Sequence, residues 1–282
     1  QFVHQVLQLD LKSSFPIYCS SIDPNEQFIA ASDTTKLYIF ACIYDEEKVN
    51  LKKVHIKRIP TSGIIRMEFS SAGQLILAYS SGSIIVVDLN TKKFKEFTDH
   101  CYSNHGTIHS LTTSEDGQWL ATSDTQNHIH VYNLDTMKLY STLPKFNSIV
   151  TAMKFSPQVD PMLTIACGNS VIYQYDVENG DLSNWSKKNS DRLPDYYLNV
   201  KGVITNITFN PLNPSLCFLV SAVNLIKLDF TKPLTYLDSY QPSTTKRKRD
   251  GTLKQVPLSE LPSNLTIISN YRPILYAGFI AS

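Results

Sequence analysis

The sequence predicts an all-β protein built as a β-propeller, and three observations support this fold class. First, a strand-like segment, a polar turn, a second apolar strand, a small-residue turn and a third strand recur five times. Second, 42% of the residues are hydrophobic, with 15 Tyr and 13 Phe, which suits pleated and half-buried strands. Third, the turns carry Asp, Asn, Gly, Pro and Ser, which accept tight or positive-φ geometry. Repetition favours one closed ring over two ordinary domains.

The spacing of the copies indicates four-stranded blades of the WD40 type. The predicted first strands end at Ile22, Phe69, Thr113, Phe155 and Phe209. These positions are 47, 44, 42 and 54 residues apart, and such a blade needs roughly 40 to 45 residues. The last interval is long because a polar insertion lies between Trp185 and Gly202. We expect that insertion to form an outward loop that leaves the core of its blade undisturbed.

The copies are predicted to cover residues 17–43, 63–97, 106–143, 147–185 and 202–230. Closing strands are expected from residues 1–12, with a strand at 2–11, and from residues 231–282, with strands at 235–240 and 272–280. A ring closes well when one blade takes strands from both termini, because this removes exposed edges. We therefore predict a single propeller over residues 1–282, with six or seven four-stranded blades and a last blade that need not be complete.

Two acidic residues are predicted to have a structural role in blade turns. Asp33 and Asp124 each come four or five residues before a third strand. A carboxylate at this point of a WD40 repeat caps the turn and accepts hydrogen bonds within the blade. We expect this structural role rather than a catalytic one for both residues.

The residues favour no catalytic, cofactor or metal site. His100, Cys101, His105 and His109 lie close in sequence, but their spacing is weak zinc geometry, and a loop histidine bonded within its blade explains them better. No nucleophile elbow, phosphate-binding glycine loop or His-Glu-x-x-His pattern occurs. His128 and His130 alternate on a predicted third strand, which is compatible with a surface contact. The chain is therefore predicted not to be an enzyme and to have no small-molecule substrate.

Charge and cysteine content indicate a reducing compartment and no membrane. The net charge of +1 produces no global field for nucleic acid, so such a contact would need a local basic patch. The five cysteines are scattered and mostly lie in apolar strand segments, as reduced core cysteines do. No apolar run approaches the roughly 18 residues that span a bilayer. Because the chain does not begin with Met, we expect a fragment of a longer chain.

The strongest compositional break is a basic run at Lys246, Arg247, Lys248 and Arg249. It lies in a polar insertion at about residues 241–262 that is predicted to be a disordered, solvated loop. Three interpretations remain open: a nuclear address, an arm that contacts RNA phosphates, or an exposed charged loop without a specific role.

Several stretches resemble the C-terminal propeller region of the cirhin family. They are residues 129–144, 150–157, 171–176, 184–186, 204–211 and 271–276. Members of that family are WD40 subunits of the UtpA subcomplex of the small-subunit processome. The resemblance covers most of residues 106–282, whereas the first hundred residues fit as generic blades. Two departures, the missing N-terminal propeller and the end at Ser282 before a further strand and basic tail, also suggest part of a longer tandem-propeller protein.

The resemblance implies a non-catalytic nucleolar scaffold. It would assemble UtpA subunits and other processome proteins on the 5′ external spacer of pre-ribosomal RNA, for small-subunit rRNA processing and linked rDNA transcription, with RNA contacts through basic loops. Two alternatives stay open. One is a WD40 adaptor of another pathway, such as ubiquitin ligation or trafficking, since a fold does not specify a function. The other is a propeller enzyme that uses its central channel.

Overall fold

The all-β prediction is confirmed by a computed structural model, which describes residues 7–45, 48–97, 106–158, 160–200, 202–232, 234 and 265–269. Twenty strands form five four-stranded antiparallel sheets within these residues. Each strand pairs with the next strand along the chain, so every sheet is a simple meander. We number the sheets blade 1 to blade 5 in chain order. The chain divides into two compact units, Gln1–Lys145 and Phe146–Ser282.

The first unit contains blades 1 to 3. Blade 1 consists of β1 (Cys19–Ile22), β2 (Phe28–Ser32), β3 (Leu37–Asp45) and β4 (Lys48–Lys53). Blade 2 consists of β5 (Ile64–Phe69), β6 (Gln74–Tyr79), β7 (Ile84–Asp88) and β8 (Lys93–Glu96). Blade 3 consists of β9 (Ile108–Thr113), β10 (Trp119–Asp124), β11 (Ile129–Asn133) and β12 (Lys138–Thr142).

The second unit contains blades 4 and 5 and a helical insertion between them in sequence. Blade 4 consists of β13 (Val150–Phe155), β14 (Met162–Cys167), β15 (Ile172–Asp176) and β16 (Asp181–Leu182). The insertion consists of α1 (Asn184–Asn189), a 3-10 turn (Ser190–Arg192) and α2 (Asp195–Leu198). Blade 5 consists of β17 (Ile204–Asn210), β18 (Asn213–Ser221), β19 (Asn224–Asp229) and β20 (Leu265–Ser269).

Strand alternation explains how blade 2 packs on two neighbours. Leu75 and Leu77 of β6 join a buried cluster with Ala30 of blade 1. Ile76, between them, points to the other face and joins a cluster with Leu120 of blade 3. Since successive side chains in a strand face opposite sides, a continuous apolar run buries both faces of the sheet. The outer strand β12 instead alternates between exposed and partly buried residues.

Four blades share a β-bulge near the start of their first strand. The register shifts at Ile65, His109, Thr151 and Thr205 in blades 2 to 5. Two of these residues are threonines whose hydroxyls donate to a carbonyl of the second strand, at 3.2 Å for Thr151 and 3.3 Å for Thr205. A bulge adds one residue and increases the local twist of its strand. The apolar pattern of these strands does not reveal the bulges.

The insertion after Trp185 differs from the outward loop that we predicted. Trp185, Leu193 and Tyr197 are buried and belong to the core of the second unit, with apolar residues of blades 4 and 5. The ring of Trp185 meets Phe230 edge-on at 4.8 Å between centroids. Ser183 caps α1 through its side chain, which accepts from the Ser186 N–H. The segment after Trp185 is mostly polar, and its apolar residues Leu193 and Tyr197 were not recognised as core residues.

The predicted closing strands lie largely outside the described residues. Residues 1–6, 235–240 and 272–280 all lie outside them. The polar insertion predicted at 241–262 also lies outside the described residues. Residues 7–11 form no strand. The chain turns directly after them, where Lys12 has a φ of 48° and its N–H bonds the Asp10 carboxylate. The fourth strand of blade 5 is β20, a segment that was not among the predicted strands.

Candidate functional site

The Asp33 carboxylate is fully engaged in the turn between β2 and β3. Asp33 is 1% exposed, and its Oδ1 accepts from the N–H groups of Thr35 (2.7 Å) and Lys36 (2.6 Å). Its Oδ2 accepts from the hydroxyls of Ser13 (2.5 Å) and Tyr38 (3.0 Å). The Ser13 hydrogen bond, followed by those from Thr35 and Lys36, holds the pKa of Asp33 well below its usual range. The group therefore fastens the preceding segment and its own turn together.

Asp124 has the same position in blade 3 and is fully buried. Its Oδ1 accepts from the N–H groups of Gln126 (2.9 Å) and His128 (2.8 Å), and its Oδ2 lies 3.0 Å from His128 Nδ1. Burial favours the neutral acid, but the hydrogen bonds from His128 and Gln126 outweigh it and lower the pKa of Asp124. Both turn acids thus act as hydrogen-bond acceptors in the turn of their own blade, and Asp33 also binds Ser13 of the preceding segment.

His128, in the turn before β11, is partly buried, and His130, in β11, is buried. The rings of His128 and His130 stack with 6.2 Å between centroids, so they lie on one side of the strand. His130 is only 4% exposed, and its Nδ1 lies 2.9 Å from Thr142 Oγ1 of β12. His130 is therefore too buried to make the surface contact with which its position in the strand was compatible.

Polar groups on the first strands of blades 2 and 3 connect the two blades. The Arg66 guanidinium donates to the carbonyl of Ile65 in its own bulge and to that of His109 in the bulge of blade 3, both at 2.8 Å. Glu68 Oε1 accepts weakly from the Thr113 N–H at 3.4 Å. An arginine that binds two carbonyls is fixed as a donor. These groups hold the first strands side by side and form no nucleophile-base pair.

The histidine and cysteine cluster considered in the sequence is only partly described. His100, Cys101 and His105 lie outside the described residues, and His109 lies in β9, with its Nε2 3.5 Å from Ser123 Oγ. Across the described part of the chain, no three His, Cys, Asp or Glu side chains are grouped to hold a metal ion.

The four thiols that the structure describes have raised pKa values. Cys19, Cys42, Cys167 and Cys217 are free thiols. Burial raises the pKa of Cys19 to about 11 and that of Cys167 to about 12, and it also raises the pKa values of Cys42 and Cys217. Because the thiolate is the reactive form, these groups are poor nucleophiles at neutral pH.

Most third strands end in a polar residue that recurs in the repeat pattern, and no role was predicted for it from the sequence. In each case its side chain accepts an N–H of the turn to the fourth strand. The residues are Asp88, Asn133, Asp176 and Asp229, which bind the N–H groups of Asn90 and Thr91, Thr136, Asn179, and Thr231 respectively. The recurring Asp or Asn is therefore the acceptor that stabilises the turn directly after the third strand of its blade.

The outer strands of the first unit carry exposed positive charge. The exposed residues are Lys48, Lys52 and Lys53 of β4, Lys93 and Lys95 of β8, and Lys138 of β12. In the second unit, the outer strands β16 and β20 contain no basic residue. The basic run at 246–249 lies outside the described residues. The described helices are all too short and too polar to span a lipid bilayer.

A family model connects this architecture to known proteins. Residues 93–133 match the WD40 family model described as "WD domain, G-beta repeat". The match begins at β8 of blade 2 and ends with β11 of blade 3, so one sequence repeat contributes to two blades. Together with the five four-stranded sheets, it shows a WD40-type β-propeller fold.

Three relatives are similar over most of this chain. The U3 small nucleolar RNA-associated protein 4 homolog of Homo sapiens is 29% identical over 81% of the chain, and that of Mus musculus is 27% identical over 98%. U3 small nucleolar RNA-associated protein 4 of Schizosaccharomyces pombe is 25% identical over 98%. The chain spans 34%, 40% and 43% of these relatives. U3 small nucleolar RNA-associated protein 4 is another name for cirhin. These relatives therefore support the resemblance to the cirhin family that the sequence indicated.

Proposed function

We propose that this chain is part of a non-catalytic scaffold of ribosome biogenesis. In this proposal, its propeller is the C-terminal part of a longer tandem-propeller protein of the nucleolus. It helps to assemble the UtpA subcomplex and other processome proteins on the 5′ external spacer of pre-ribosomal RNA. The assembly then supports small-subunit rRNA processing and linked rDNA transcription.

The observation that carries the proposal is the likeness to proteins named for the U3 small nucleolar RNA over 81% to 98% of the chain. The described geometry agrees with a scaffold. The turn acids Asp33 and Asp124 are used as internal acceptors, and Arg66 is used as a donor between blades. These polar groups serve rigidity, and a rigid ring with exposed loops and edges suits the binding of several proteins.

The proposal includes direct contact with RNA. The contact would be made by the basic loop that contains Lys246, Arg247, Lys248 and Arg249. Phosphate contacts by Lys and Arg depend strongly on salt, because each contact releases condensed counterions. The exposed lysines of β4 offer a second positive surface, but no aromatic side chains alternate with them as in a base-stacking groove. We therefore assign the loop, and not β4, to RNA.

The test of the scaffold role uses the full-length protein that contains this chain, tagged in its own cells. Purification from a nuclear extract should recover processome proteins and precursors of the small-subunit rRNA. Depletion of the protein should cause unprocessed precursor to accumulate, and the full-length protein should reverse this effect. Recovery of ubiquitin-ligase or trafficking components, with no processome protein, would support the competing WD40 adaptor instead.

A separate test addresses the basic loop. Changing Lys246, Arg247, Lys248 and Arg249 together to Ala should leave folding intact, and it should reduce nuclear localisation or crosslinking to pre-ribosomal RNA. A matched variant changes Lys52, Lys53, Lys57 and Arg58 to Ala, which removes the same charge from the first unit. If the loop variant changed neither localisation nor crosslinking, the loop would have no such function.

A further inference from the structure

A groove lies between blades 2 and 3, near the turns that lead into their outer strands. Its volume is about 280 Å³. From blade 3 it is lined by Leu134 and Met137, which belong to the turn between β11 and β12. This volume is slightly below the roughly 300 to 1,000 Å³ of small-molecule pockets. It therefore suits one or two side chains of a larger partner better than a whole cofactor.

The wall formed by blade 2 follows from the register of its strands. Val86 lies opposite Lys95, and Asp88 lies opposite Lys93. Because residues two apart in a strand share a face, all four side chains line the same wall of the groove. Val86 is 6% exposed, whereas both lysines are exposed. This side of the groove is therefore apolar at its base, where Val86 lies, and positively charged at its rim, where Lys93 and Lys95 lie.

The floor on the blade 3 side is also apolar and adaptable. Leu134 is 6% exposed, and Met137 is partly buried against the same core cluster as Val86. Met137 is held at a φ of 55°, so the turn fixes its backbone. An unbranched thioether side chain adjusts to different apolar partners and is common at peptide-binding surfaces.

The groove is lined by one acid and two lysines, so a net positive charge remains although the Asp88 carboxylate offsets part of the charge of Lys93. The Asp88 carboxylate accepts from the N–H groups of Asn90 (2.9 Å) and Thr91 (3.1 Å). The Thr91 hydrogen bonds, followed by that of Asn90 and the nearby charge of Lys93, lower the pKa of Asp88. The carboxylate is therefore used to close its own turn, and Lys95 extends beyond it on the same face.

We propose that this groove binds an extended segment of a partner protein in which an apolar side chain is flanked by carboxylates. The apolar side chain packs on Val86, Leu134 and Met137, and the carboxylates meet Lys93 and Lys95. The inference deepens the proposed scaffold role by naming the chemistry of one partner, and it rests on that role only for its biological setting.

A peptide fits this groove better than RNA does. Single-stranded RNA binds such sites by stacking its bases on exposed aromatic rings. The aromatic residue in the lining, Phe94, packs against the cluster shared by blades 1 and 2. The remaining apolar lining is aliphatic or thioether, which suits a side chain such as leucine.

The test uses the 282-residue chain and three fluorescein-labelled hexapeptides, read by fluorescence anisotropy. The first is Asp-Glu-Leu-Phe-Glu-Asp, the second replaces its acids by amides, and the third replaces Leu-Phe by Ala-Ala. The first peptide should bind, and each of the other two should bind at least about tenfold more weakly, because the site needs both kinds of contact. Equal binding of all three, or no binding of the first at about 1 mM, would overturn the proposal.

Variants then locate the site. Lys95→Glu should weaken the first peptide about tenfold or more, and the milder Lys95→Ala and Met137→Gln about threefold to fivefold. The matched control is Lys138→Glu, which changes an exposed lysine of the adjacent outer strand that does not line the groove. It should change affinity less than about twofold.

Thermal unfolding followed by circular dichroism confirms that each variant is folded. Equal losses for Lys95→Glu and Lys138→Glu would indicate unspecific charge attraction and overturn the proposal. Displacement of the peptide by a single-stranded oligouridylate, with Met137→Gln without effect, would assign the groove to RNA instead. These assays use purified components, so they can fail while the processome test succeeds, and the reverse.

Discussion

The two units complete their blades in different ways. In the first unit, the fourth strand of each blade is a local hairpin partner of the third, as β8 is of β7. In the second unit, β16 has two residues, and β20 begins at Leu265 although β19 ends at Asp229. Helices α1 and α2 follow β16, and Trp185 and Tyr197 fill the core there. The outer edge of a blade thus tolerates replacement if other segments bury its apolar face.

The largest expected effect is that of Trp185→Ala. It tests whether the insertion contributes to the core of the second unit or is only a surface loop. Trp185→Ala should lower the free energy of unfolding by about 3–5 kcal/mol, because it leaves a large cavity beside Phe230. Urea denaturation followed by circular dichroism measures it. The control Lys188→Ala, at an exposed position of α1, should change stability by less than about 0.5 kcal/mol. Similar small effects for both would contradict the role of the insertion in the core.

The second prediction compares the turns between the second and third strands. Asp124 in blade 3 and Ser221 in blade 5 are both fully buried. Asp124 accepts two N–H groups and contacts His128, whereas Ser221 Oγ accepts the Asn224 N–H at 2.9 Å. Asp124→Ala should destabilise by about 2 kcal/mol and Ser221→Ala by about 1 kcal/mol, because hydrogen bonds to a charged acceptor are stronger. Equal values in urea denaturation would show that charge adds nothing in this turn.

The third prediction concerns the pH dependence of the same pair. The pKa of Asp124 is lowered in the fold, so its carboxylate stabilises the protein above the unfolded pKa of about 3.9 and loses this effect as the pH falls through the folded value. The stability difference between the wild type and Asp124→Asn should therefore shrink as the pH falls below about 4. Ser221→Ala supplies the control, since its difference should not vary with pH. Denaturation curves at several pH values measure both, and a constant Asp124→Asn difference would contradict the lowered pKa.

The last prediction separates a packed turn from an open one, with an expected difference of about 1 kcal/mol between the two variants. Gly117 has a φ of 75°, and a Cβ there would lie 3.2 Å from Ser71 Oγ and 3.3 Å from Ala72 Cβ. Gly180 has a φ of 68°, with nothing within 4 Å of such a Cβ. Gly180→Ala should destabilise by about 1 kcal/mol from backbone strain alone, and Gly117→Ala by roughly 1 kcal/mol more from crowding. Equal changes in melting temperature would show that the turns of blades 2 and 3 yield without strain.

Much of the fold was predictable because the signal is local. Four of the five predicted strand ends, Ile22, Phe69, Thr113 and Phe155, are the last residues of β1, β5, β9 and β13. Most strands form hairpins with the next strand of their blade, so alternating apolar residues and turn residues specify them without distant contacts. The positions of Asp33 and Asp124 in their turns follow from the same local pattern.

The features that the sequence did not reveal depend on distant or minor signals. The bulge at His109 serves an arginine on another blade, and no residue type marks it. The core role of Trp185 and Tyr197 was hidden in a polar segment, and β20 is separated from its partner by a long stretch of chain. The groove at Lys95 and Met137 exists only because a turn of blade 3 lies against the face of blade 2.

The sequence by itself determined the repeat, the antiparallel hairpins, the turn acids and the likeness to a family of WD40 proteins. Periodicity and turn chemistry act over a few residues, and they survive without knowledge of neighbours. Only the tertiary structure decided which groups come together: Arg66 with the bulge of blade 3, Trp185 with Phe230, and Lys95 and Met137 as lining of one groove. Those encounters depend on how blades and insertions pack, and packing joins residues that are far apart in the chain.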